Sequence, residues 1–441
     1  MSQFIKDSLK GISLEAIAFQ HGRTMLKELC DATVDFRTRT VNGKQYCTAV
    51  EAIIKKHTNI SVAFTLEDSE VHNAYVFLPG LDINHPFYNE YDKATRQSES
   101  DWFTRDAISL FKKKMSTVGW VDLNKGTVHG AFELITVKIF MTNFFVDDRN
   151  FTEEEVSSII LHELGHAFTT FEYLGETLVD NLSLATLIKQ MARQRDIPRK
   201  IQLLEKARTE LGLKDLEVDK AAQATDEELC SIVVAAKAKD IRNSAKAKLY
   251  TETGAEFVAD QFTTRHGGGR AIVTALDKVS REYGDVDHYT KKERTGLDIQ
   301  HILIGLLSAV FVGVGFMVPI IPFIVIGFLI MTGIIITIFT NPGHGRYDRT
   351  TERYKRIRND YVNALKDPKL SRDHRVAVLA DIAKIDEVTK NMSPFYTVWE
   401  RLGLWLFSSH QKELDMRGLE KQLESLGTND LFIKAAEFKT V

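Results

Sequence analysis

Residues 151–168 read FTEEEVSSIILHELGHAF, and the fold turns on this stretch. Thr152 stands where an N-cap accepts a free backbone N–H of a helix, and Glu155 is placed to bond back to the N–H of Thr152. Phe151 and Val156 sit at the two positions of a hydrophobic staple. The spacing predicts a helix over 153–171 that ends near Tyr173–Gly175. Inside it, His162 and His166 are four residues apart, which sets both imidazoles on one face, and Glu163 follows the first of them. This HExxH pattern suits a zinc ion held by His162 and His166. Glu163 would take a proton from the water as it attacks a carbonyl, while the ion lowers the water pKa and stabilises the developing oxyanion. The plain alternative is a helix with two surface histidines and a coincidental glutamate.

A zinc ion that keeps one position open for water needs a third protein ligand. The extended HExxHxxGxxH arrangement is absent, because Thr169 and Glu172 stand at its glycine and third histidine. Glu172 also continues along the same rigid helix. The better candidate is Glu256 in Glu256–Phe257–Val258–Ala259–Asp260, after a long segment that can fold back to form a helix pair. Glu256 and Asp260 share a face, so one can coordinate the metal and the other can orient His162 or His166 from behind. If the helix begins at Thr253, Glu256 is instead its capping-box partner. His266, just before Gly267–Gly268–Gly269, and Tyr250 are candidates to stabilise a tetrahedral intermediate, though a polar helix end accounts equally well for either.

With 441 residues, 44% hydrophobic and 27% charged, the chain can bury a substantial core over two or three domains. The 57 Lys and Arg nearly balance 60 Asp and Glu, leaving a net charge of -3 and no bulk electrostatic reason to expect nucleic acid. Cys30, Cys47 and Cys230 are too few and too scattered for a disulfide framework or a metal knuckle, which favours a reducing compartment. Charges inside the first 23 residues argue against a cleaved secretory signal.

Ahead of the zinc motif, helices are expected over 12–30 and 49–56, and strands at SVAFTL (61–66), NAYVFLP (73–79) and GWVDL (119–123). A helical pattern covers 99–115. Ile135, Val137, Ile139 and Met141 alternate with Thr136, Lys138, Phe140 and Thr142, a period of two that reads as a strand. Residues 180–250 read as a mainly helical, soluble insertion. From His301 to Thr340 the chain carries no acidic or basic side chain other than that histidine. As one helix its apolar part would extend roughly 57 Å against a hydrocarbon core of roughly 30 Å. Pro319 and Pro322 break it into arms of about 302–318 and 323–340, so the expectation is a membrane-contacting helical hairpin. Lys291, Lys292 and Arg294 before it and Arg346, Arg349, Arg353, Lys355, Arg356 and Arg358 after it put both ends on the cytoplasmic side. A hairpin buried in a soluble or particle-associated assembly is the alternative. Helical periodicity returns at 349–365, 371–388 and 396–424.

On His162–Glu163–Leu164–Gly165–His166 and Glu256–Phe257–Val258–Ala259–Asp260, the segment 125–270 resembles the gluzincin metallopeptidases that include the CAAX prenyl endopeptidases and HtpX-like proteases. The resemblance implies zinc ligation by His162, His166 and Glu256, base catalysis by Glu163 and an orienting role for Asp260. It also implies that the alternating strand before Thr152 is an edge strand able to align an extended peptide. In those families the membrane spans precede the zinc motif or lie between it and the glutamate, whereas here the apolar stretch follows Glu256. CAAX substrates and an intramembrane chamber are therefore not implied.

The expected fold class is α+β. A mainly helical zincin-like metalloprotease domain with a small sheet is followed by an apolar helical hairpin and a helical C-terminal region. The expected divisions are an N-terminal α+β region (1–120), a zinc-peptidase core (121–275) with a helical insertion at 176–250, a membrane hairpin (301–340) and a helical region (341–441). The expected function is zinc-dependent hydrolysis of a polypeptide substrate, associated with a lipid bilayer. The alternative is a structural or membrane-interacting assembly protein that retains the peptidase-like core.

Overall fold

The computed structural model describes residues 22–77, 85–87, 89–90, 119–122, 124–210, 213, 215–225, 228–233, 235–236, 252–282, 291–317, 325–326, 329–330, 332, 350–365, 370–390 and 392. The chain divides into two compact units, Met1–Gly268 and Gly269–Val441. It is mostly helical with a small mixed sheet, in keeping with the α+β expectation.

In the first unit, α1 (Thr24–Arg37) leads to α2 (Gly43–Thr58). A capping box fixes the start of α2: the Asn42 side chain accepts from the Gln45 N–H at 3.0 Å, and Gln45 Oε1 accepts from the Asn42 N–H at 2.9 Å. Asn59, left-handed at φ 60°, ends it and turns the chain into β1 (Ser61–Glu67). β2 (Ala74–Phe77) follows, then the hairpin of β3 (Gly119–Asp122) and β4 (Thr127–Gly130), and then β5 (Thr136–Thr142). The three-stranded sheet has the order β1-β5-β2, with β1 parallel and β2 antiparallel to β5. Alternation along β5 is as expected as far as Met141: Ile135, Val137, Ile139 and Met141 are buried while Thr136 and Lys138 are exposed, whereas Thr142, expected on the outer face, is buried at the strand end where its hydroxyl accepts from the Phe145 N–H. Phe140, the apolar residue on the outer face, stacks on its cross-strand neighbour Tyr75 with ring centroids 4.9 Å apart. One expectation is corrected here, since β5 is the central strand and not an edge. A sequence alternation reports which faces are covered and says nothing of which strands lie on either side.

After the short helix α3 (Asn143–Asp147) comes α4 (Glu153–Arg193). Its capping box is formed as the sequence predicts, with Thr152 Oγ1 accepting from the Glu155 N–H at 3.2 Å and Glu155 Oε2 accepting from the Thr152 N–H at 2.7 Å. The predicted end at 173–175 is corrected, because α4 runs unbroken to Arg193. A helical glycine such as Gly175 costs only about 1 kcal/mol, and continuing the helix carries Leu184, Leu187 and Met191 into a separate apolar cluster. That cluster is completed by Leu204 and Ala207 of α5 (Ile197–Glu210), by Ala221 of α6 (Val218–Gln223) and by Leu229 and Val233. α7 (Glu252–Arg265) then returns along α4, and the chain leaves it through Gly267 at φ 85°.

The start of α4 is held by a buried guanidinium. Arg37, at the end of α1, donates to the carbonyl of Val146 at 2.7 Å, to the carbonyl of Asp148 at 2.9 Å and to Glu153 Oε1 at 2.9 Å. His72 meets Asp148 at 2.8 Å on the same turn, packed among Phe144, Phe145 and Phe151.

The second unit contains α8 (Gly269–Glu282), α9 (Lys291–Met317), α10 (Thr350–Ala364) and α11 (Arg372–Thr389). α8, α10 and α11 pack together. Arg358 forks onto Asp386 at 2.6 and 3.2 Å, and Arg270 approaches the buried Asp381 at 3.6 Å. The expected transmembrane hairpin is corrected: among the described residues no helix is long and apolar enough to cross a membrane. α9 begins with Lys291, Lys292, Glu293, Arg294 and Asp298, so its apolar run occupies only the later turns. Pro319, Pro322 and most of the second arm lie outside the described residues, as do the predicted helices at 99–115 and 396–424.

Arg37→Met removes the donors to two backbone carbonyls and to Glu153, and is expected to lower the stability of the first unit by ~2–3 kcal/mol. Glu153→Gln, which alters a half-exposed partner, is expected to cost under about 1 kcal/mol. The Glu153 carboxyl is held below its usual range, first by its own backbone N–H and then by Arg37. Its share of the clamp is therefore present at neutral pH and fades as the pH falls through that lowered pKa. Urea midpoints followed by near-UV circular dichroism check the ranking, and equal midpoints for wild type and Arg37→Met would remove the clamp from the account.

Candidate metal centre

α4 and α7 run antiparallel, as the pairings along them require. His166 faces Glu256, His162 faces both Glu256 and Asp260, and a Cβ built on Gly268 would come within 2.5 Å of Ser158 Oγ. The two backbones approach closely at Gly165. A Cβ there would lie 2.6 Å from the Ala259 Cα and 3.0 Å from the Ala259 carbonyl oxygen, which are rigid backbone atoms that cannot move aside. The glycine of HELGH and the alanine of EFVAD are thus opposite halves of one contact. Phe168 and Phe262, both buried with ring centroids 5.2 Å apart, fill the adjoining layer.

This approach brings three ligand atoms together. The Nε2 atoms of His162 and His166 are 3.2 Å apart, and each is 3.3 Å from a carboxylate oxygen of Glu256. On the other edge of its ring, His162 Nδ1 donates to Asp260 Oδ1 at 3.0 Å. In the neutral ring that bond selects the tautomer whose Nε2 lone pair is aimed at the space shared with His166 and Glu256. Glu256 and Asp260 are 7% and 2% exposed. Imidazole nitrogens facing a carboxylate in so dry a place need a proton or a cation between them.

The residues fit such a cation. Two imidazole nitrogens and a carboxylate are a donor set that zinc takes at ~2.0–2.2 Å. Of the described residues, His162, His166 and Glu256 form a group able to hold a metal ion. Glu163, next to the first ligand, is half-buried where the other four residues of the motif include two that are wholly enclosed, Leu164 and Gly165. α7 begins at Glu252, so Thr253 lies inside the helix and is not its cap, and Glu256 turns to the histidines.

The remaining sequence candidates do not join this group. His266 lies ten residues past Glu256, about 15 Å along the helix axis, where its ring packs against Phe262 at 4.6 Å and its Nε2 is buried. Tyr250 lies outside the described residues. Sequence reading missed the Arg37 clamp and the His72–Asp148 pair. Their partners are more than seventy residues away along the chain, and no local pattern marks a residue whose role is to hold a distant turn. No protein-family model, curated protein or solved structure matches the chain.

Gly165→Ala should force α4 and α7 apart and weaken zinc retention roughly 10- to 100-fold, with a stability loss of ~1–3 kcal/mol from overpacking. Glu256→Gln should abolish tight retention. Asp260→Asn should reduce it by roughly 10- to 100-fold through loss of ring orientation. Zinc partition against a calibrated chelator, in protein shown to be folded by circular dichroism, measures all three; unchanged retention in folded Glu256→Gln would exclude it as a ligand.

Proposed function

We propose that the chain is a zinc-dependent endopeptidase that hydrolyses polypeptide bonds with water as the nucleophile, built on a zincin-like core of the gluzincin type. The convergence of His162 Nε2, His166 Nε2 and the Glu256 carboxylate, with Asp260 behind His162, carries this reading. His162, His166 and Glu256 would hold the metal with two neutral ligands and one charged one, leaving it net positive charge. Zinc in such a site acts as a Lewis acid on a carbonyl and brings the pKa of water near neutrality.

The chain's own residues divide the remaining work. Glu163 is the one carboxylate of the motif with partial access to solvent, and it serves as the general base that accepts the proton of the attacking water and delivers it to the departing amine. Asp260 keeps His162 from rotating and bonds its Nδ1, so that Nε2 is the ring nitrogen turned toward the metal position. Among the described residues β2 is an edge of the sheet and packs against α4. An extended peptide adding to β2 by backbone hydrogen bonds would be aligned along the helix that bears the base. A purely structural metal has no use for a base beside its ligands, which favours hydrolysis over the assembly alternative.

Glu163→Gln keeps the shape of the side chain and removes its basicity. It is expected to retain zinc at the wild-type level while cleavage of a mixed peptide library falls by ~10²–10⁴-fold. Mass spectrometry of the library after incubation with each zinc-loaded protein provides the measurement. Equal cleavage by the two proteins would defeat the assignment of Glu163.

A further inference from the structure

We propose that His72 is a positioning residue for the peptide hydrolysis proposed above, on which this role rests: acting through Asp148, it ties the edge strand β2 to the turn that starts α4. Between the exposed Val71 and Asn73, His72 turns its ring inward, leaving 6% of the side chain exposed. Its Nε2 is hydrogen-bonded to Asp148 Oδ2 at 2.8 Å, while Asp148 Oδ1 accepts from the Asn150 N–H at 2.9 Å. One carboxylate thus joins a residue just before β2 to a residue just before Thr152, the N-cap of α4. Asn73 adds a backbone tie nearby, its carbonyl accepting from the Thr142 N–H at 3.0 Å.

Pairing alone holds β2 weakly. It is four residues long and, among the described residues, is hydrogen-bonded along one side only, to β5. Short edge strands with so few ladder bonds open readily. A peptide aligned by β2 needs that strand at a fixed height along α4, because Glu163 and the two histidines move with the helix. The Asp148 turn is the common reference point. His72 fixes β2 to it, and the continuous helix from Thr152 places His162 about 15 Å further along the axis.

Packing by itself does not ask for a histidine here. The ring lies among Phe144, Phe145 and Phe151, with centroids 4.6, 5.3 and 5.0 Å away. An apolar side chain would fill that box without the cost of desolvating an imidazole beside a carboxylate. What it would lose is direction, since the bond to Asp148 selects one placement of the chain entering β2 and ring contacts alone tolerate several.

In the zinc-loaded full chain, assayed with a library peptide that the wild type cleaves, His72→Phe should raise KM roughly 10-fold and change kcat by less than about 3-fold. That pattern marks lost binding with the chemistry intact. Deuterium exchange of the amides at 74–77 should quicken roughly 10-fold while zinc retention stays at the wild-type level. His72→Gln, which can return an N–H to Asp148 without the ring, should bring KM back to within about 3-fold of the wild type. A space-filling role predicts the reverse order, with Phe close to the wild type and Gln impaired. Where His72→Phe does not fold, His72→Phe with Asp148→Asn removes the bond without leaving an unpaired charge beside the aromatic box. Unchanged KM, unchanged exchange or the reverse order would overturn the role of His72 and leave hydrolysis standing. Zinc-loaded wild type that cleaves no peptide would instead remove hydrolysis, and this role with it.

Discussion

Two imidazole nitrogens, 3.2 Å apart and each 3.3 Å from a different oxygen of the buried Glu256 carboxylate, are the constraint on which the first unit depends. Asp260 bonds the far edge of the His162 ring and turns its Nε2 toward the other two groups. The three side chains form a group able to hold a metal ion. The surrounding packing is what keeps the groups from separating. Gly165 and Ala259 bring the helix backbones close enough for a glutamate on one to reach two histidines on the other. The Phe168–Phe262 layer beside that contact resists relative sliding.

The position of the histidines then follows from how α4 is anchored. Its first turn is held from within by Thr152 and Glu155, and from outside by Arg37 and by the His72–Asp148 pair. Arg37 spends its donors on two carbonyls and a carboxylate, so the turn before the helix cannot shift without leaving a buried guanidinium unsatisfied. The far half of the same helix supplies Leu184, Leu187 and Met191 to the core of the insertion. One continuous helix therefore joins His162 and His166 to a separately packed helical cluster.

Local patterns in the sequence determined the features that depend on near neighbours. The capping box at Thr152 and Glu155, the shared face of His162 and His166, the shared face of Glu256 and Asp260, and the alternation from Ile135 to Met141 all follow from helix and strand periods acting over a few residues. Tertiary structure alone decided what depends on distant partners. The sequence places the end of α4 too early because the cluster that extends it is assembled from residues up to Ala236. β5 became a central strand because β1 and β2 cover both of its sides, which its own alternation cannot express. The apolar run after His301 marked a surface that water does not favour, but hydropathy does not say what covers such a surface. Glu256 was a plausible ligand by type and spacing, and its approach to the histidines came only from packing two helices at a glycine and an alanine, because the distance between two ligands is set by how closely their backbones can pass.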